Sequence, residues 1–104
     1  MVAAALAALV LVHGTVVRGP TKPACEMAEP CSEPAASVLL VFNGAGLTRR
    51  VRTNANGRYS VRLPRGTYHV RVSPVPRIGR GIQPPTLVVY GPRSADFLID
   101  TGIR

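Results

Sequence analysis

Between Thr53 and Val72 apolar residues recur at every second position. They fall at Tyr59, Val61 and Leu63, then at Tyr68, Val70 and Val72. A period of two places each trio on one face of a pleated strand. The alternate positions include Arg58, Arg62, His69 and Arg71, which predicts a wet face opposite. The runs 58–63 and 66–73, joined by Pro64-Arg65, read as a hairpin, with Gly66 where the turn needs a left-handed residue.

The same reading supplies five further strands. His13 to Arg18 is the first, stopped by Gly19-Pro20. Val38-Leu39-Leu40-Val41-Phe42 is a continuous apolar run, as expected of a central strand buried on both sides. Asn43-Gly44-Ala45-Gly46 turns the chain into Leu47–Thr53, with Val51 inward and Arg50 and Arg52 outward. Asn54-Ala55-Asn56-Gly57 is the next turn, built from residues that tolerate positive φ. Residues 74–85 carry Pro74, Pro76, Pro84 and Pro85, so they form a crossing between sheets. Leu87–Tyr90 and Ala95–Asp100 are the last two strands. No segment after residue 12 has helical apolar spacing. The predicted fold is an all-β, seven-stranded Greek-key sandwich.

Composition narrows this further. The 104 residues suffice for one domain, and 10 Gly with 10 Pro suit short strands and tight turns. Met1 to Val12 is apolar without interruption, too short to span a bilayer but of the length of a secretory signal core. We therefore expect residues 1–12 to be a truncated signal peptide and 13–104 to be the domain. The competing reading makes the run a buried first strand or short helix. Cys25 and Cys31 are the only cysteines. An exported chain would close them into a local disulfide worth less than the ~3 kcal/mol expected of a fifteen-residue loop. A metal would need two more ligands, and His13 and His69 are the only histidines.

The net charge is +8, from 13 basic and 5 acidic residues. Such an excess can attract an anionic partner through long-range fields. It can equally be the solvated faces of strands, since Arg50, Arg52, Arg58, Arg62 and Arg71 all lie at outward phases.

The pattern Thr53-Asn54-x-x-Gly57-x-Tyr59-x-Val61-x-Leu63-x-x-Gly66-x-Tyr68-x-Val70-x-Val72 resembles the carboxypeptidase regulatory-like, or prealbumin (transthyretin)-like, β-sandwich domains. The match is strongest over residues 48–73. His13–Pro20 resembles more loosely that family's first strand. The resemblance implies an accessory module of exported bacterial proteins, and no peptidase activity, because that zinc site belongs to a separate domain. Iron dioxygenases with this sandwich use paired Tyr and His ligands. Here Tyr68 and His69 are adjacent and point to opposite faces.

No catalytic, cofactor or metal residues emerge. Glu26, Glu29 and Glu33 lack the spacing of a calcium loop, and Lys22 lies outside any strand, which excludes an isopeptide crosslink of the adhesin kind. Tyr59 and Tyr68 share the inward phase, so they do not form a base-stacking platform and specific nucleic-acid recognition is not expected. Binding residues collect on loops held by a rigid scaffold. The expected contacts are therefore Arg77, Ile78 and Arg80 in the Pro-rich crossing, with Tyr90 as the exposed aromatic. The sequence reads as a monomeric, secreted or cell-envelope module without cofactor or integral membrane span. Its role is structural or binding, its partner a protein or an acidic polysaccharide; the alternative is a carbohydrate- or anionic-polymer-binding module.

Overall fold

Alternation of apolar and polar residues is realised as strands of two packed sheets. The structure, a computed structural model, describes residues 8–19, 32–73 and 81–100. The strands are β1 (Leu9–Gly19), β2 (Glu33–Pro34), β3 (Leu39–Gly44), β4 (Leu47–Arg52), β5 (Arg58–Pro64), β6 (Gly66–Ser73), β7 (Gly81–Gln83), β8 (Thr86–Val89), β9 (Arg93–Ser94) and β10 (Phe97–Asp100). Among the described residues no helix is long and apolar enough to cross a membrane.

The first sheet is organised on β1. β5 pairs antiparallel with its first part, from Leu9↔Pro64 to Thr15↔Arg58, and β2 pairs with Val17 and Arg18. Along its other side run β9 and then β10, both parallel to it, and β7 completes the order against β10. The second sheet has the order β4-β3-β6-β8, antiparallel throughout.

Inward residues of both sheets make one core. Val12, Val16, Leu40, Phe42, Leu63 and Tyr68 have no exposed surface. Each such side chain contributes roughly 1.5–3 kcal/mol by leaving water. Phe42 from the second sheet meets Tyr59 and Phe97 from the first at centroid separations of 6.0 and 6.2 Å, and Tyr59 and Phe97 are 5.9 Å apart. Edge-to-face and tilted pairs at this range add to area burial. The paired-phase tyrosines are interior residues, as the period predicts.

Four expectations are corrected. The runs around Pro64-Arg65 are not a hairpin: β5 lies in the first sheet and β6 in the second. The chain turns a corner there, with Gly66 at φ +153° and the Tyr68 hydroxyl donating to the Pro64 carbonyl at 2.5 Å. Periodicity locates strands but says nothing of their partners. Secondly, β1 starts at Leu9 and not at His13, because Val10 and Val12 pack in the core opposite Leu63 and Val61. Thirdly, three short strands (β2, β7, β9) add to the expected seven, each too brief to carry a periodic signal. Gly81–Gln83, read as part of a crossing, is an edge strand on β10. Fourthly, Asn43 and Gly44 belong to β3, leaving Ala45 and Gly46 as a two-residue turn with φ +50° and +77°. Positive φ at both central positions suits a tight hairpin turn.

Candidate functional site

Outward positions of the second sheet form an extended surface. Cross-strand register sets its rows. Val41 of β3 lies between Arg50 of β4 and Arg71 of β6. One row along, Leu39 lies between Arg52 and Ser73. On the other side, Asn43 lies between Thr48 and His69, and His69 faces Thr86 of β8. Thr67 faces Val88 in the last row. Neighbouring strands are about 4.8 Å apart, so the Arg50 and Arg71 backbones are about 10 Å apart, while Arg50 and Arg52 are about 7 Å apart along β4.

The charge is one-sided. β3, β4, β6 and β8 contain Arg49, Arg50, Arg52 and Arg71 and not one acidic residue. The acidic residues among those described, Glu33, Asp96 and Asp100, all belong to the first sheet or its connections. There Glu33 Oε2 lies 3.9 Å from Arg18 Nε, a surface pair worth little. Arg52 donates to the Ser37 carbonyl at 2.8 Å, but the Arg50 and Arg71 side chains make no hydrogen bond or ion pair among the described residues.

Val41 is only 7% exposed although it points outward. The continuous apolar run Val38–Phe42 implies cover on both sides; of its outward pair, Val41 is buried and Leu39 half-buried. The side chains flanking Val41 are those of Arg50 and Arg71, whose methylene stems can cover it while their guanidinium groups stay wet. Arg49 takes the inward phase of the edge strand, opposite Phe42, and remains exposed. A charge placed this way discourages edge-to-edge pairing. Its field also lowers the pKa of Tyr68, although burial dominates and the phenol is raised overall.

Tyr90 follows β8 at the outward phase of Thr86 and Val88 and is 76% exposed. It is the aromatic that the sequence leaves for contact, and its ring is open to a ligand. Arg65 donates through Nε to the Tyr90 carbonyl, and Arg93 donates to the Val88 carbonyl at 2.8 Å. Two guanidinium groups therefore sit beside this end of the sheet. Arg77, Ile78 and Arg80 lie outside the described residues, as do Cys25 and Cys31.

A second feature lies in the first sheet. A depression of about 460 Å³ is lined by His13, Gly14, Thr15, Arg58, Tyr59, Ser94 and Asp96. It sits where β9 ends and β10 begins, at a two-residue interruption of the parallel ladder on β1. Three hydrogen bonds fix that interruption. The Ala95 N–H donates to the His13 carbonyl at 2.8 Å, the Tyr59 hydroxyl donates to the Ala95 carbonyl at 2.5 Å, and the Thr15 N–H donates to Asp96 Oδ1 at 2.9 Å. Gly14 is required at the floor, since a Cβ would stand 2.1 Å from the Ala95 oxygen. Burial raises the Tyr59 phenol well above its usual pKa; the Asp96 charge adds to this and Arg93 opposes it.

The sequence alone puts Arg50, Arg52 and Arg71 outward but leaves them as separate solvated positions. Only the register brings Arg50 and Arg71 to either side of one valine. The absence of acids from these four strands is readable in the sequence, but β1 and β5 lack acids too, so only the register defines this face. Nothing local marks the grouping of His13, Arg58, Ser94 and Asp96, which are drawn from three strands and a break. No protein-family model matches this chain, and neither a curated protein nor a solved structure matches it.

Proposed function

We propose that this chain is a non-enzymatic binding module that holds an acidic polysaccharide on the outer face of its second sheet. One observation carries the reading: the four strands hold four arginines, on β4 and β6, and no carboxylate, and Arg50 and Arg71 have no side-chain partner among the described residues. A flat surface with cationic groups roughly 7–10 Å apart suits a linear polymer whose charges repeat along its length. Polysaccharide is favoured over nucleic acid because the rows hold no outward aromatic to stack successive bases, Tyr90 at the end of the sheet being the single exposed Phe or Tyr ring among the described residues. Tyr90, at the end of β8 near Arg65 and Arg93, is placed to take a sugar ring at one end of the track. The resemblance of residues 48–73 to carboxypeptidase regulatory-like domains supports an accessory role in an exported protein at the cell envelope.

Retention on an immobilised sulfated or uronic-acid polysaccharide tests this. Binding should weaken steeply with added NaCl, because neutralised charges release counterions. Tyr90→Ala should remove a component that persists at high salt. Failure to bind either polymer at about 50 mM NaCl, or binding indifferent to salt, would refute the reading.

A further inference from the structure

We propose that the depression at the Ala95–Asp96 interruption binds a small zwitterion, Asp96 receiving its ammonium group and Arg58 its carboxylate. The inference stands on this site alone and is independent of the polysaccharide reading.

The two charges share one depression without pairing to each other. Register explains why. Arg58 is the β5 partner of Thr15, while Asp96 lies on the opposite side of β1 and accepts the Thr15 N–H. The two backbones are thus two strand spacings, about 10 Å, apart. An arginine stem spans part of that distance, and the remaining gap has a cation at one side and an anion at the other. A single ion would meet attraction from one and repulsion from the other. A molecule carrying both signs close together meets attraction from each.

The site is also built. Here the break is held by three hydrogen bonds, one from a buried tyrosine. Capping the Thr15 N–H needs only an acceptor oxygen, which an asparagine would supply equally. The carboxylate leaves Asp96 further acceptor capacity beyond that bond. Arg93, the nearest alternative cation on this strand, directs its guanidinium to the Ser94 and Val88 carbonyls. Thr15, Ser94 and His13 add hydroxyl and imidazole groups around the same space. The volume of about 460 Å³ accommodates a free amino acid.

Glycine is the simplest probe, with acetate and methylammonium as its separate halves. In amide NMR titrations glycine should give saturable shifts at Thr15, Arg58 and Asp96, and each half alone should bind at least tenfold more weakly. Arg58→Gln and Asp96→Asn should each weaken glycine at least tenfold. The Asp96→Asn variant keeps an acceptor for the Thr15 N–H, and the Arg58 side chain makes no bond to lose among the described residues, so both variants should keep their amide dispersion. Arg50→Gln with Arg71→Gln should leave glycine binding unchanged. Absence of saturable shifts, acetate binding as well as glycine, or undiminished binding by Asp96→Asn would each overturn the proposal.

Discussion

Thr53 is the one buried polar residue in the described core. Its hydroxyl donates to the Ala35 carbonyl at 2.5 Å and accepts the Val38 N–H at 3.0 Å. It thereby ties the end of β4 to the turn that carries the chain from β2 to β3. Thr53→Val keeps the shape but leaves both backbone groups unsatisfied, at a cost of about 1–3 kcal/mol for each group stranded. We expect the melting temperature to fall by at least about 5 °C, with Thr53→Ser close to wild type, as read by thermal unfolding. The tyrosines make a second prediction. Tyr59 and Tyr68 are raised in the folded state, mainly by burial. Above about pH 10 the unfolded chain loses those protons while the folded chain keeps them, so stability falls as pH rises. Below that pH their contribution is fully present. Urea midpoints between about pH 8 and about pH 11.5 should decline, and Tyr59→Phe should lower the midpoint at the neutral end while making the decline shallower.

At the scale of elements, β1 organises the first sheet. Its first four residues pair with Pro64 to Val61, and Val10 and Val12 are 7% and 0% exposed. Burying two such side chains is worth roughly 3–6 kcal/mol together, a large part of the roughly 5–15 kcal/mol that holds a domain of this kind. A chain beginning at His13 should therefore lose at least about 10 °C of thermal stability relative to the full chain, or fail to show a cooperative transition. Isolation of a stable exported form whose first residue is His13 would contradict this. The seven longer strands are legible because each carries enough alternation or apolar length to mark it. Their partners are not, as Pro64-Arg65-Gly66 illustrates: the same residues fit a hairpin or a corner, and the choice depends on Leu9–Thr15, some fifty residues earlier. Apolar Leu9–Val12 fits a leader or a buried strand for a related reason, since an uninterrupted apolar run has no phase to choose between them. β2, β7 and β9 owe their existence to neighbours and not to their own composition.

Over the whole molecule, charge is divided by sheet. Arg18, Arg58, Arg62 and Arg93 of the first sheet share their surface with Glu33, Asp96 and Asp100, whereas the second sheet carries arginines alone. Net charge by itself would draw any polyanion to the molecule; a face would draw it to one side. The measurement that separates these compares two variants of equal charge by calorimetric titration with a sulfated polysaccharide across a series of NaCl concentrations. One carries Arg50→Gln, Arg52→Gln and Arg71→Gln; the other carries Arg18→Gln, Arg58→Gln and Arg62→Gln. The account predicts that the first loses at least tenfold in affinity and about two to three units of the log–log salt slope, while the second stays within about threefold of wild type. Equal losses in the two variants, or a greater loss in the second, would contradict it.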